Sequence, residues 1–181
     1  MPSTIHTFTG RMVDPLALRA EDVCIEDIAH HLSMQCRFSG AVRYFYSVAQ
    51  HSALVARYVP VEYALDALMH DAAEAYLQDM ARPLKVSHVG DAYRVAEDHV
   101  ERVLAEVFGL AYPHPEIVSE VDVRVLVTEA RDLLHGTEAW GYYQDVSPYD
   151  EIVQPWYPPL AEEVFLGLFE VLNTAKKEER T

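Results

Sequence analysis

Cysteine is nearly absent: Cys24 and Cys36 are the two in 181 residues. Two thiols cannot build a disulfide framework, and they read as free thiols in a reducing compartment. Long apolar runs are missing too. No stretch approaches the roughly 20 apolar residues of a membrane span, and the N-terminus has neither a basic head nor an apolar h-region. The expectation is a cytoplasmic protein with no membrane partner. Internal repeats and low-complexity segments are absent as well. Positive charge is scarce, with 14 Lys and Arg against 29 Asp and Glu and a formal net charge of −15. A field of that sign repels polyanions and argues against any nucleic-acid polymer as a partner. A small anionic substrate stays open, provided its site supplies local positive charge.

What is present is apolar content, at 50%, enough to exclude disorder and to build a core in a single domain spanning 1–181. Residues 1–20 alternate weakly around Gly10 and read as a small hairpin or surface arm that could touch a neighbouring subunit. A first helix over 24–36 carries the stripe Ile25, Ile28, Ala29, Leu32 and Cys36. Its His30 and His31 read as one half-exposed and one packed histidine. A second helix is expected at about 46–58. A third begins near 61 or 62 and runs to about 77. Next comes a polar turn, 78–85, that Pro83 keeps out of regular helix. Helices at about 89–108 and 116–134 and a last one opened by Pro158-Pro159 complete an all-α fold of about six helices, with 175–181 as a solvated tail. In the fifth helix Glu129, Arg131 and Asp132 read as an exposed charged face. Residues 136–157 hold Trp140, Tyr142, Tyr143, Tyr149, Trp156 and Tyr157, a long irregular stretch for packing, a subunit contact or a base pocket.

The chemistry concentrates at His70-Asp71 and Glu74. His70 and Glu74 are four apart and Asp71 and Glu74 three apart, so on a helix all three lean toward one sector. Burying such a triplet is costly unless a divalent cation compensates. Four potential ligands then stand on three helices: His51, His70 with Asp71, and Asp122, which sits awkwardly among valines. Two imidazoles and two carboxylates suit Zn, Mn, Co or Fe, with water in the open positions. Buried histidines and aspartates satisfied by hydrogen bonds are the alternative at this point.

The order His51 … His70-Asp71 … Asp122 resembles the signature of the HD-domain metal-dependent phosphohydrolases, an all-helical family. Ala49-Gln50-His51-Ser52-Ala53-Leu54-Val55-Ala56 is similar to the family's first-histidine helix. His70-Asp71-Ala72-Ala73-Glu74, continuing to Asp79-Met80-Ala81-Arg82-Pro83-Leu84-Lys85, resembles the block of its bacterial 5′-deoxynucleotidases. The resemblance covers roughly 25–134. The N-terminal arm and aromatic stretch look like a compact phage and bacterial subgroup, similar to phage dATP triphosphohydrolases.

The resemblance implies roles. His51, His70, Asp71 and Asp122 would hold the metal, with Mg as a candidate second ion. Glu74 would orient or deprotonate the attacking water, or protonate the leaving oxygen. Arg37 would meet the phosphate, and Asp79 would accept a hydrogen bond from the sugar 3′-hydroxyl. Phe38 would crowd the 2′ position. The family carries Trp there, a departure that bears on how strictly the sugar is selected. Lys85, Arg43 and Arg82 are further phosphate candidates, with solvent-exposed charge as the alternative. The implied activity is cleavage of the 5′-phosphate ester of a 2′-deoxynucleotide, with dATP or dAMP favoured, by a homo-oligomer. The products would be a deoxynucleoside plus phosphate or triphosphate. Two rivals are an HD hydrolase of another small phosphate ester or signalling nucleotide, and a non-catalytic HD-fold module that binds a protein.

Overall fold

Helix α2 (Val48–Tyr58) is the centre of the molecule, with every residue from Val48 to Ala56 buried. Helices α1 (Ile25–Met34), α3 (Ala64–Leu68), α7 (Glu116–Leu133) and α8 (Pro158–Glu179) pack around it. The small residues Ala49, Ser52, Ala53 and Ala56 let neighbours approach α2 from several sides. Ser47 caps it, its hydroxyl accepting from the Gln50 N–H at 3.1 Å. Pro60, lacking a backbone N–H, stands just past its end. The structure is a computed structural model that describes residues 3–137 and 145–179. Trp140, Tyr142 and Tyr143 of the aromatic stretch lie outside the described residues. So does the end of the expected tail.

Among the described residues the fold is all-α apart from one two-stranded sheet. Strands β1 (Ile5–His6) and β2 (Met12–Val13) pair antiparallel, Ile5 opposite Val13 and His6 opposite Met12. The expected hairpin is therefore present, but it is a docked element rather than a surface arm. Val13 and Leu18 are buried in the core. The Thr9 N–H donates to Asp27 Oδ1 at 2.6 Å and its hydroxyl to Oδ2 at 2.9 Å. His30 stacks on Phe8 with ring centroids 3.7 Å apart and pairs with Glu162. His31 donates from Nδ1 to the Ala75 carbonyl at 2.7 Å and accepts the Phe8 N–H at Nε2. Both histidines serve packing.

The helix expected over about 61–77 is broken. A short 3-10 turn leads into α3, and α4 (Glu74–Leu77) starts only after an irregular turn at 69–73. The reason is local. His70 Nδ1 donates to the Ala67 carbonyl at 2.8 Å, and the following amides tighten to i−3 acceptors: Ala72 to Met69, Glu74 to Asp71. His70 and Asp71 thus stand in a turn, freed from the angular spacing of a helix. Pro83 also differs from expectation. It lies inside the one-turn helix α5 (Arg82–Lys85), at the start, where a missing N–H costs nothing. Helix α6 (Asp91–Phe108) ends at Gly109, whose φ of +65° gives the left-handed cap.

One apolar cluster joins these elements, among them Ile28, Leu32, Val55, Leu68, Val100, Leu104, Val125 and Phe165. Among the described residues no helix is long and apolar enough to cross a membrane.

Candidate metal centre

His51 is fully buried on α2, and the turn after α3 carries His70 and Asp71 to it. The His51 and His70 ring centroids are 5.2 Å apart. Ligand atoms of His51, His70 and Asp71 all fall within 4.8 Å of one another, a group that could hold a metal ion. Asp122, on α7, joins them at the open edge. Its Oδ1 is 3.0 Å from His51 Nε2 and 3.9 Å from His70 Nε2. Asp71 Oδ1 is 3.3 Å from His70 Nε2, and its Oδ2 is 3.6 Å from His51 Nε2.

The histidine tautomers suit a cation. His51 Nδ1 donates to Glu129 Oε1 at 2.7 Å, and His70 Nδ1 donates to a carbonyl, so both rings turn Nε2 toward the same point. Neither buried Nε2 makes a hydrogen bond of good geometry, although His51 Nε2 lies 3.0 Å from Asp122 Oδ1. Two such nitrogens beside two carboxylates are what a divalent first-row ion requires.

Without the ion the charges compensate one another. Burial and Arg37 work against a charge on His51, yet Glu129 and Asp122 hold its pKa up, to about 9. Burial favours neutral Asp122 and Asp71, but His51, His70 and Arg37 outweigh it and keep both below the usual carboxylate range. Glu74 goes the other way. Burial, with Asp71 and Asp79 nearby, pushes it up to about 9, and its Oε2 is buried without a partner.

Arg37 stands between Asp71 and Glu129, its Nη1 3.5 Å from Asp71 Oδ2 and its Nε 3.2 Å from Glu129 Oε2. Its guanidinium lies over the Phe38 ring, 5.4 Å from the centroid. The chain reverses there through three consecutive left-handed residues, Phe38, Ser39 and Gly40, at φ of +54°, +51° and +81°. An aromatic side chain at positive φ is a genuine outlier, a strain of about 1–3 kcal/mol. It turns Phe38 back beneath Arg37.

No protein-family model matches the chain. It is 38% identical over 178 residues to the uncharacterized protein YfdR of Escherichia coli (strain K12), covering 97% of this chain and 98% of that one. The chain belongs to the YfdR family. It is also 40% identical over 111 residues to an uncharacterized protein of Rhodobacter capsulatus, 56% of each chain.

In this YfdR-family chain the remaining expected residues spread outward. The Asp79 N–H donates to Gln35 Oε1 at 3.3 Å, while Gln35 Nε2 donates to the Glu74 carbonyl at 2.9 Å. Gln35 therefore clamps the segment joining Glu74 to Asp79. Burial raises Asp79. Lys85 donates to Glu97 Oε1 at 2.7 Å, and its ammonium is committed to that pair. Arg43 donates to the Leu134 carbonyl at 2.7 Å and caps the end of α7. Arg82 is exposed.

The charged face expected at Glu129, Arg131 and Asp132 does not exist as such. Glu129 is fully buried and accepts from His51 and from the Tyr46 hydroxyl, each at 2.7 Å. Arg131 donates to the Tyr149 and Glu151 carbonyls, and Asp132 accepts the Val153 N–H, so the pair fastens the segment over α7. In the described part of the aromatic stretch Tyr149 stacks on Tyr58, centroids 3.7 Å apart. Buried Gln50 ties down Gln154 and Trp156 at 2.8 Å each. These contacts are packing. Glu129, Tyr46 and Gln35 were missed because nothing in their neighbours marks them. Spacing gave one usable signal: Glu129 lies two helical turns beyond Asp122, on the same face.

Proposed function

We propose that the chain is a metal-dependent phosphohydrolase of the HD-domain kind that cleaves the 5′-phosphate ester of 2′-deoxynucleotides. The reading is carried by the two buried Nε2 atoms of His51 and His70, which make no hydrogen bond of good geometry and converge on Asp71 and Asp122. These four residues would hold Zn, Co, Mn or Fe. A divalent ion bound there supplies Lewis-acid polarisation of a phosphoryl oxygen and makes water nucleophilic near neutral pH.

The chain's own residues do the rest. Arg37, already facing Asp71 at 3.5 Å, offers its guanidinium to the phosphate and offsets the negative field of the protein. Glu74, whose carboxyl burial pushes toward the protonated form, hands a proton to the departing 5′-oxygen. Asp79, its backbone held by Gln35, accepts the 3′-hydroxyl. Phe38, under Arg37, covers the 2′ side of the sugar and disfavours a ribose hydroxyl. Products are the deoxynucleoside and phosphate, or triphosphate when the substrate is dATP.

The test is release of phosphate and triphosphate from a panel of mono- and triphosphate nucleotides with added Co, Mn or Zn, beside Asp71→Ala. Deoxynucleotide turnover that disappears in Asp71→Ala supports the reading. A folded, metal-loaded protein that turns over none of them refutes it.

A further inference from the structure

Glu129 is excluded from solvent at 0% exposure and stands behind the residues that would hold an ion or touch a substrate. Its two carboxylate oxygens face different parts of the centre. Oε1 accepts from His51 Nδ1 and from the Tyr46 hydroxyl, both at 2.7 Å, whereas Oε2 pairs with Arg37 Nε at 3.2 Å. We propose that Glu129 is a positioning residue that aims His51 at the metal and Arg37 at the phosphate, so that both meet at one place. The inference rests on the metal-dependent phosphohydrolase reading.

An imidazole bound through one nitrogen can rotate about its stem or exchange its two nitrogens. A carboxylate on Nδ1 removes both freedoms, because Nδ1 must then carry the proton and Nε2 must face the opposite way. Here the opposite way is toward Asp122 and Asp71. Tyr46 gives Oε1 a second donor, while His51 and Arg37 between them engage both carboxylate oxygens and make Glu129 a support rather than a ligand. Asp122 and Glu129 share α7, seven residues apart, so helix geometry sets the distance between ligand and support. On Oε2 the ion pair holds the Arg37 side chain in place while Nη1 reaches Asp71. A guanidinium fork is useful to a phosphate only when its plane is fixed.

The experiment measures Zn affinity, the visible spectrum of the Co form and inhibition by inorganic phosphate, for the wild type, Glu129→Gln and Tyr46→Phe. Glu129→Gln should bind metal about 10–100-fold more weakly. Its Co spectrum should shift and its sensitivity to phosphate should fall, while Tyr46→Phe, which keeps both Glu129 contacts, changes these far less. A folded Glu129→Gln with wild-type metal and phosphate affinity overturns the proposal. Should Glu129→Gln fail to fold, nitrogen NMR of the unaltered Zn-loaded protein decides instead. A His51 proton on Nδ1, hydrogen-bonded and protected from exchange, supports the assignment; a proton on Nε2 overturns it. A wild type that binds no metal would sink the phosphohydrolase reading as well, which separates the two failures.

Discussion

Tyr46→Phe removes one hydroxyl from the most enclosed part of the centre. Tyr46 has no solvent exposure, and its hydroxyl donates to Glu129 Oε1 at 2.7 Å. Burial, together with that carboxylate, keeps the phenol well above its ordinary pKa, so the group is always a donor. A hydrogen bond to a charged acceptor contributes about 1.5–3 kcal/mol. Glu129 Oε1 keeps His51 as a second donor, which places the loss near the lower end, about 1.5–2 kcal/mol. Phe fills the same ring volume, so no substantial cavity term is added. In a chain of this size each kcal/mol moves Tm by roughly 2–4 °C, giving a fall of about 3–8 °C. With a urea m-value of about 2 kcal/mol/M, the midpoint should drop by about 0.7–1 M. The assay is urea and thermal unfolding of the metal-free protein, with Tyr157→Phe as the surface control. Tyr157 is 64% exposed, and its loss should stay within about 0.5 kcal/mol. A Tyr46→Phe protein indistinguishable from that control would refute the buried Tyr46–Glu129–His51 chain.

Three further outcomes are expected. His51 has its folded pKa raised to about 9, so in the metal-free protein its charge adds stability fully present below its unfolded value of about 6.5. That stability is lost as pH rises through about 9. On the proposed ligand set a metal would compete for the same nitrogen, so metal affinity measured by titration should climb about tenfold per pH unit toward 9 and then level off; a flat profile from pH 7 to 9 contradicts this. On the proposed function, Glu74→Gln should retain metal while deoxynucleotide turnover falls about 10²–10⁴-fold, and a near-wild-type rate would remove Glu74 from the proton transfer. Asp66 is buried and accepts the Ala111 N–H at 2.6 Å and Lys176 Nζ at 3.2 Å. Asp66→Ala should cost about 2–3 kcal/mol in urea unfolding, chiefly from the stranded amide, since partly exposed Lys176 regains water. A loss below about 0.5 kcal/mol would show that the amide finds another partner.

The sequence by itself determined the helical class and the extent of the long helices. Apolar spacing in α6 and α8, the stop at Gly109 and the starts at Pro115 and Pro158 report short-range sterics, which act within a few residues and are written locally. It also picked out His51, His70, Asp71 and Asp122 as chemically awkward residues for a core. Only the tertiary structure decided how they are held. The break at His70 depends on a side chain taking the Ala67 carbonyl from the helix ladder, a choice that propensity does not register. Glu129 looked like one more surface charge on an acidic helix. Its burial follows from α2 being wrapped on several sides, which brings His51 to it across 78 residues of chain. Period and propensity carry no information about such a pairing, because its energy exists only once the core has closed around it.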